Sequence, residues 1–350
     1  MKLPNKNNFA TIIDGKKVEL FQLENKHGMI IQITNYGGKI VSIFVPDRNG
    51  NFDDVVTGYD HIDEYVKGDN SFGAIIGRYG NRIAKGKFEL EGKTYMLAQN
   101  NGKNHLHGGI KNFSNTVWEV QRHDLKTLSL HYLSPDGEEG YPGNLEVKVN
   151  YTLTDKNELI IDYQAVTDKS TLVNLTNHSY FNLAAGNFDP VYDHELQLDA
   201  SHFVPGNSEL IPLGELWEVA NTPMDFNHFT PIGQRIHNEY EQLQFGGGYD
   251  HTYVLRNKPG QLVKYATVIE PKSGRSMECW TTEPGVQLYT ANHFDGQQKG
   301  KNGIKYQRHG ALCLETQHYP DSPNQPDFPS TVLEPGKKYT STSIYKFGAH

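Results

Sequence analysis

The chain has 350 residues, of which 33 are basic and 41 acidic, so its formal net charge is −8, and no long block carries one sign of charge. An acidic chain of this kind is a poor partner for nucleic acid. No stretch approaches the roughly 18 uninterrupted apolar residues of a membrane helix, and the opening residues 1–14 lack the apolar core of a secretory signal.

The cysteine content bears on the compartment. Cys279 and Cys313 are the two cysteines of the chain, too few for a disulfide framework and without the CxxC spacing of a zinc or redox site. We therefore expect a cytoplasmic protein. A periplasmic or secreted location stays open, because a leader removed beforehand would leave the same sequence.

Short alternating apolar and polar segments separated by turn residues run along the whole chain. The 20 Tyr, 16 Phe and 34 Gly suit pleated strands joined by tight turns. A hairpin is predicted over 87–97, where Glu91 and Gly92 separate two runs of period two. Further strands are predicted over 29–34, 127–133, 145–153, 158–166, 194–198, 264–270, 285–290 and 311–315.

Helical periodicity is confined to two short segments. They are 62–66, with Asp60 as the expected capping residue, and 232–240. No propeller or solenoid repeat is visible, and the Pro and Gly clusters are scattered rather than gathered in a linker. The sequence predicts an all-β protein, a single large antiparallel β-sandwich domain over 1–350 with few short helices.

The segment NHLHGG at 104–109 is the first with chemical character. In an extended chain His105 and His107 would point to the same face. One interpretation is a metal site, although cupin-type sites need a carboxylate a few residues later, and none follows here. The alternatives are a histidine packed at a strand end beside a glycine turn, or a ligand site, since glycine lets a ligand approach the backbone.

The segment TLVNLTNHSYFNL at 171–183 carries many polar side chains in an apolar run. Burying each without a partner would cost roughly 1 to 3 kcal/mol, so we expect them to line a wet cleft, with a satisfied structural network as the alternative. Histidine titrates near neutral pH, which makes His178 a candidate proton donor. The polar members are Asn174, Asn177, His178, Ser179, Tyr180 and Asn182.

One carboxylate, Glu315, stands in the apolar run ALCLET before a proline-rich loop. A buried salt bridge would explain it. A desolvated carboxyl group whose pKa is raised would equally serve as a general base near pH 7. The residues alone leave both interpretations open.

Two glycine-flanked turns resemble ligand-facing loops. GRYGNRI at 77–83 brings together Arg78, Asn81 and Arg82, and GGGYDH at 246–251 contains Asp250. Guanidinium and carboxylate groups suit pairs of sugar hydroxyls, although each could instead form a surface ion pair. No phosphate-binding loop and no GxSxG nucleophile turn occurs.

Taken together, these strings closely resemble the galactose mutarotase family, the aldose 1-epimerases, over nearly the whole chain. The strings that carry the resemblance are NYGG at 35–38, GRYGNRIAKG at 77–86, NHLHGG, DGEEGYPGNL at 136–145, NLTNHSYFNL, GGGYDH and LETQHYPDSPNQPDFP at 314–329. Departures are small: Thr252 stands where many members have Asn, and Gly80 where Ala is common.

The resemblance implies a galactose mutarotase-like supersandwich whose open cleft binds an aldohexose and interconverts its α and β anomers. It implies no cofactor and no metal. The expected partner is a small-molecule sugar, with no nucleic acid and no membrane, and the chain is expected to be a monomer or a homodimer.

The resemblance also implies roles for individual residues. Glu315 would remove the proton from the C1 hydroxyl while His178 donates a proton to the ring oxygen as an imidazolium. His107 would lie near the ring oxygen. The positions implied to hold the remaining hydroxyls are Asn81, Arg82, Asp250 and Gln287, with Ser179 and Tyr180 extending the binding strand.

Three alternative functions make different demands on the sequence. A glucose-6-phosphate 1-epimerase would need extra basic residues around the phosphate. A non-catalytic sugar-binding module would need no acid and base. A metal-dependent, cupin-like isomerase would lose its activity to a chelator.

Overall fold

Alternation of buried and half-buried side chains defines the long strands. In Leu145–Leu153 every second residue, from Leu145 through Val149 to Leu153, is buried. Side chains on successive strand residues point to opposite faces, so this period places one face of the sheet against the core. The computed structural model describes residues 2–68 and 71–350 and confirms the all-β prediction.

The strands in chain order are β1 (Thr11–Ile13), β2 (Lys16–Val18), β3 (Leu20–Glu24), β4 (Ile30–Thr34), β5 (Ile40–Pro46), β6 (Phe52–Asp54), β7 (Ala74–Ile76), β8 (Arg82–Ile83), β9 (Lys87–Leu90), β10 (Lys93–Met96), β11 (His105–Leu106), β12 (Glu119–His123), β13 (Thr127–Ser134), β14 (Leu145–Leu153), β15 (Glu158–Thr167), β16 (Thr171–Leu172), β17 (Thr176–His178), β18 (Glu195–Leu198), β19 (Ala200–Phe203), β20 (Trp217–Glu218), β21 (Thr230–Pro231), β22 (Asp250–Leu255), β23 (Val263–Ile269), β24 (Arg275–Thr281), β25 (Gly285–Tyr289), β26 (Cys313–Gln317), β27 (Val332–Leu333) and β28 (Tyr339–Ala349). The α-helices are α1 (Ile62–Lys67) and α2 (Glu241–Gly246). Short 3₁₀ helices span Lys6–Phe9, Ala84–Gly86, Phe113–Asn115, Glu138–Gly140, Val191–Asp193, Ile232–Gln234, Lys301–Gly303 and Ser322–Asn324.

Three sheets form most of the molecule. The largest has nine strands in the order β12-β13-β14-β15-β28-β24-β23-β18-β21, and β28 near the end of the chain lies at its centre. A five-stranded sheet has the order β20-β19-β22-β25-β26, and a four-stranded sheet the order β3-β4-β5-β6. The strand pairs within these sheets are antiparallel, as predicted.

The largest core cluster takes apolar side chains from all three sheets. Examples are Ile31 from the four-stranded sheet, Val147 from the nine-stranded sheet and Leu288 from the five-stranded sheet, each with no exposed surface. Burial of such side chains stabilises each by about 1.5–3 kcal/mol relative to exposure. The five-stranded sheet thus has one face in the core, which leaves its other face for the site described below.

The predicted strands lie close to the observed ones, and the hairpin over 87–97 is β9 with β10. Helix α1 also lies where predicted. Its N-cap residue, however, is His61 and not Asp60, because Glu64 accepts a hydrogen bond from the backbone N–H of His61 at 3.0 Å. The Asp60 carboxylate instead accepts from the N–H of Asn302 at 2.6 Å.

The helix predicted over 232–240 is wrong. Only Ile232–Gln234 forms a 3₁₀ turn, and Arg235 leaves helical geometry at φ −131°. Ile232 and Ile236 are both buried, so the period of four residues reports burial on one side of an irregular turn rather than a helix. Helix α2 begins after Tyr240 instead. Among the helices of the described residues, none is long and apolar enough to cross a bilayer.

Candidate active site

The face of the five-stranded sheet that is turned away from the core presents two rows of polar side chains. In the register of β22, β25 and β26, Thr252 lies opposite Gln287, which lies opposite Glu315. The neighbouring row on that face begins with Asp250, opposite Tyr289. Residues directly opposite in an antiparallel pair project from the same face, so the register alone gathers these side chains.

The triple glycine before Asp250 makes the turn from α2 into β22. Gly247 ends the helix with φ 67°, a left-handed conformation that glycine adopts without strain. At Gly248, with φ 144°, a Cβ atom would lie 2.4 Å from Oδ1 of Asn292. The glycines therefore serve a tight turn that starts β22 at Asp250.

His178 enters the site from a different pair of strands. It ends β17, where it pairs with Ala74 of β7. Its Nε2 atom lies 3.5 Å from Oε1 of Glu315, and the two side chains are 6% and 2% exposed. On its other side, the ring of Tyr180 stacks at a centroid distance of 4.7 Å and an angle of 15°. This stacking fixes the plane of the imidazole.

His107 is held by a reciprocal pair of hydrogen bonds with Asn81. The N–H of His107 donates to the carbonyl of Asn81, and the N–H of Asn81 donates to Nδ1 of His107, both at 3.1 Å. Since a backbone N–H can only donate, Nδ1 is the acceptor, and the proton of the neutral ring is on Nε2. His107 therefore presents an N–H donor near His178, whose ring centroid is 5.3 Å away.

The two histidines of NHLHGG do not share a face. His107 has φ 51°, which turns the chain after β11, and His105 points elsewhere, to the carbonyl of Ala98 at 2.7 Å and the Tyr141 hydroxyl at 2.7 Å. A Cβ atom at Gly108 would lie 1.9 Å from the carbonyl oxygen of Gly77. That glycine thus permits contact with another backbone segment and not the approach of a ligand.

The two arginines of GRYGNRI point in different directions. Arg82 faces the cleft, with Nε donating to Oδ1 of Asn101 at 3.1 Å. Arg78 is buried and donates to the backbone carbonyls of Ser134, Pro135 and Pro142 at 2.8–3.0 Å. Arg78 therefore anchors a loop, while Arg82 remains available to a ligand.

These elements enclose a cleft of about 300 Å³. This volume lies at the lower end of the range for small-molecule sites. Of the nine predicted site residues, seven line it: Glu315, His178, Asn81, Arg82, His107, Tyr180 and Asp250. Their side chains include both hydrogen-bond donors and acceptors, which suits a polyhydroxylated ligand.

Burial sets the protonation of the central pair. It raises the pKa of the Glu315 carboxyl well above its usual range; the negative charge of Asp250 adds to this rise, and Arg82 opposes it. Burial lowers the pKa of His178 to about 4, partly offset by Asp250. Burial thus disfavours the charged form of each group, the carboxylate of Glu315 and the imidazolium of His178.

His107 is kept neutral as well. Burial is the main reason that its pKa lies well below the usual range, and the positive charges of protonated His178 and of Arg82 lower it further. A neutral His107 with its proton on Nε2 can donate a hydrogen bond without carrying charge.

One group of side chains could reach a metal ion. Ligand atoms of His107, His178 and Glu315 lie within 4.8 Å of one another. Metal-binding histidines normally donate their second ring N–H to an acceptor. In His107 the second nitrogen instead accepts from Asn81, so Nε2 carries a proton and lacks the lone pair a metal needs. The arrangement fits hydrogen bonding to a ligand better than metal ligation.

The polar segment 171–183 is mostly a structural network. Asn174 donates to the carbonyls of Gly80 and His318 at 3.3 Å, and Asn177 and Asn182 donate to backbone carbonyls at 2.8 Å. Only His178 and Tyr180 line the cleft. The wet-cleft expectation is thus wrong for the asparagines, whose amides are satisfied by the backbone.

Two predicted binding residues lie outside the cleft lining. The hydroxyl of Ser179 donates to Oδ1 of Asn177 at 2.6 Å, on the side opposite to its neighbours His178 and Tyr180. Gln287 lies behind Asp250, to whose Oδ1 it donates at 2.6 Å, and borders an adjoining cavity of about 20 Å³. Ser179 thus has no contact with the cleft, and Gln287 contacts it through Asp250.

Further residues that were not predicted from the sequence also line the cleft. They are Ser71, Asn101, Leu106, Tyr289, His293, Phe294 and Gln298. Tyr289 could have been found, because it is two residues from Gln287 on a predicted strand and so shares its face. His293, Phe294 and Gln298 lie in irregular chain after β25, where no period indicates a direction. Phe294 stacks on Tyr180 at 5.3 Å.

Comparison with known proteins adds an independent finding. A family model described as aldose 1-epimerase matches residues 19–346. The chain is 44% identical to galactose mutarotase of Bos taurus, over 94% of both chains, and 43% identical to that of Homo sapiens, over 95% of both. A solved aldose epimerase homologue from C. elegans superposes with a TM-score of 0.88 at 31% identity, covering 95% of this chain and 99% of the other.

Proposed function

The chain belongs to the aldose 1-epimerase family and is an isomerase. We propose that it interconverts the α and β anomers of D-galactose, D-glucose and related aldoses. Glu315 and His178 are the proposed reacting pair. The observation that carries the proposal is their separation of 3.5 Å at the bottom of a cleft of about 300 Å³. An aldohexose is the proposed partner.

Ring opening needs one proton removed and one supplied. Glu315, as carboxylate, takes the proton of the C1 hydroxyl while His178 gives a proton to the ring oxygen, and the bond between C1 and the ring oxygen breaks to leave an aldehyde. Rotation about the C1–C2 bond presents the other face of the carbonyl. Reclosure with the duties exchanged forms the other anomer. Each general acid or base typically contributes about 10²–10⁴ in rate.

The number of protons that the pair holds suits this cycle. One proton suffices for the pair throughout, because the proton that Glu315 gains replaces the one that His178 gives. A carboxylic acid with a neutral imidazole and a carboxylate with an imidazolium have the same net charge of zero, so exchange between them does not bury a net charge. We propose that sugar hydroxyls favour the second form on binding. The pair then acts as base and acid.

The other lining residues would hold the sugar. His107 donates from Nε2 near the ring oxygen, and Asn81, Arg82 and Asp250 bind the remaining hydroxyls. Tyr180 supports the plane of His178 by stacking. We assign Gln287 a contact through Asp250, and Ser179 a structural role through Asn177.

Three alternatives receive less support. A phosphorylated sugar would require several cations, whereas Arg82 is the single Lys or Arg among the described lining residues. A sugar-binding module would not require a buried acid and base in contact. A metal-dependent isomerase would need a lone pair on Nε2 of His107, which its hydrogen bond to Asn81 opposes.

Domain organisation, location and assembly complete the proposal. We propose one domain over 1–350, supported by a nine-stranded sheet that joins strands from 119 to 349. A cytoplasmic location is supported by Cys279 and Cys313, which are buried and unpaired. The assembly proposed is a monomer or a homodimer, which sedimentation would distinguish.

The activity is tested by polarimetry on freshly dissolved α-D-galactose and α-D-glucose, with and without the folded protein. We expect the optical rotation to reach its equilibrium value faster with protein. Decay at the spontaneous rate for both sugars, with sugar binding retained, would favour the binding module instead.

A further inference from the structure

A chain of hydrogen bonds runs behind the cleft and joins two neighbouring rows of the five-stranded sheet. The hydroxyl of Thr252 donates to Oε1 of Gln287 at 2.5 Å, and Nε2 of Gln287 donates to Oδ1 of Asp250 at 2.6 Å. Thr252 and Gln287 are 2% and 3% exposed, and both border the adjoining cavity of about 20 Å³. Thr252 itself does not line the cleft.

The chain has a fixed direction because its two ends differ chemically. The ionised carboxylate of Asp250 can only accept, so the Gln287 amide must turn its NH₂ group toward it. The amide oxygen then points at Thr252, where a hydroxyl donor stabilises it. Without that hydroxyl the amide oxygen would lose its protein donor, at a cost that favours rotation of the amide away from Asp250.

The consequence reaches the sugar site through Asp250. The Oδ1 atom of Asp250 accepts a hydrogen bond from Gln287, which uses one of the roughly four acceptor positions of the carboxylate. Asp250 lines the cleft, so the remaining positions, roughly three, are available to a ligand. A carboxylate held from behind meets a sugar hydroxyl without first losing rotamer freedom. Asp250 also acts on the reacting pair, since its charge raises the pKa of Glu315.

We propose that Thr252 is a positioning residue for sugar binding, which orients Asp250 through the side-chain amide of Gln287. The inference rests on the proposed function, because it needs Asp250 to bind a sugar hydroxyl. It assigns a role to a buried side chain that borders the small adjoining cavity and does not line the cleft. The role belongs to its hydroxyl group, not to its methyl group.

Comparison of Thr, Val, Ser and Ala at position 252 distinguishes the effect of the hydroxyl group from that of the methyl group. Thr252→Val removes the hydroxyl and keeps the shape, whereas Thr252→Ser keeps the hydroxyl and removes the methyl group, which would lie 3.0 Å from a Cβ atom added at Gly285. Thr252→Ala removes both, so Ser and Ala form a second matched pair. If Thr252 acts by positioning, the KM of each variant depends on whether the hydroxyl group is present. If it acts by packing, KM depends on whether the methyl group is present.

The experiment measures kcat and KM of each variant by polarimetry on α-D-galactose. We expect KM to rise about fivefold in Val and Ala and to stay within about twofold of the wild type in Ser, with kcat little changed in all three, since a contact made equally in ground and transition states affects KM. A raised KM in Ser with a normal KM in Val would overturn the proposal. If the Val variant does not fold, the Ser and Ala variants suffice for the test, and equal KM values in these two would overturn the proposal.

A double-mutant comparison tests whether the effect passes through Gln287. In a Gln287→Met background the acceptor of the Thr252 hydroxyl is gone, so Thr252→Val should leave KM unchanged there. A further fivefold rise in that background would mean that Thr252 acts by another route. If the wild-type protein does not accelerate mutarotation, the proposed function itself is wrong. That outcome is distinct from the comparison of KM values between variants, which tests the role of Thr252.

Discussion

Nε2 of His178 and Oε1 of Glu315 lie 3.5 Å apart, and burial shifts the pKa values of the two groups in opposite directions. The carboxyl group keeps its proton to a higher pH than usual, while the imidazole loses its proton at a lower pH than usual. Two groups this close titrate as a pair. Between the lowered pKa of His178 and the raised pKa of Glu315 the pair holds one proton, which is the state that acid and base catalysis needs.

The pH dependence of kcat/KM follows from this pairing. Below about pH 4 His178 is protonated beside a protonated Glu315, and no base is left. Above the raised pKa of Glu315 the pair loses its only proton, and no acid is left. We expect a bell-shaped profile whose acid limb lies near pH 4, well below the ordinary histidine value of about 6.5.

The profile is measured by polarimetry with the spontaneous rate subtracted at each pH, and circular dichroism checks that the protein stays folded at the acid end. An acid limb centred at about pH 6.5 in folded protein would show that His178 titrates as an exposed histidine. That result would contradict the one-proton description of the pair.

Treatment with a chelator separates metal-free from metal-dependent catalysis. Because Nδ1 of His107 accepts from the N–H of Asn81, its Nε2 holds a proton and does not offer a lone pair to an ion. We expect dialysis against EDTA to leave kcat/KM unchanged. A large loss that added Zn²⁺ restores, but Mg²⁺ does not, would mean that the ring binds an ion after losing this proton.

His194 makes a prediction about stability. It is 2% exposed, its Nε2 accepts from the N–H of Leu183 at 2.9 Å, and burial lowers its pKa to about 4. The unfolded chain takes up this proton below about pH 6.5, whereas the folded protein does so only near pH 4. The stability from His194 is therefore fully present above about pH 6.5 and falls as the pH drops toward 4.

The variant His194→Gln tests this, because the glutamine oxygen can accept from the same N–H and does not titrate. Between about pH 4.5 and 6 the free energy of unfolding should depend on pH less steeply in the variant, by roughly 1.4 kcal/mol per pH unit, the value for one proton. Denaturant unfolding at several pH values measures the slopes. Equal slopes in both proteins would mean that His194 is protonated alike in the folded and unfolded chains.

The alternation of side-chain direction along strands explains much of what the sequence could predict. Alternation predicted the strand over 145–153, and it could also have separated His178 and Tyr180, which face the cleft, from Ser179, which faces away. The same rule applied to the predicted strand over 285–290 would have added Tyr289 to the lining. The information in these cases is local, because the direction of a side chain follows from its neighbours in the strand.

Other features depend on contacts that the sequence does not display. The asparagines of the segment 171–183 look like ligand donors until backbone carbonyls from distant turns satisfy them. His293 and Gln298 reach the cleft through irregular chain, and the turn at His107 separates it from His105. Arg235 leaves helical geometry and helix α2 begins only after Tyr240, and the apolar period over 232–240 revealed neither feature.

The most direct test of the acid–base pair compares the wild type with Glu315→Gln in the polarimetric assay of α-D-galactose. The amide has nearly the shape of the protonated carboxyl group but cannot take a proton, so we expect kcat to fall at least about 100-fold with unchanged thermal stability. A folded Glu315→Gln variant that turns over at close to the wild-type rate would remove Glu315 from the chemistry.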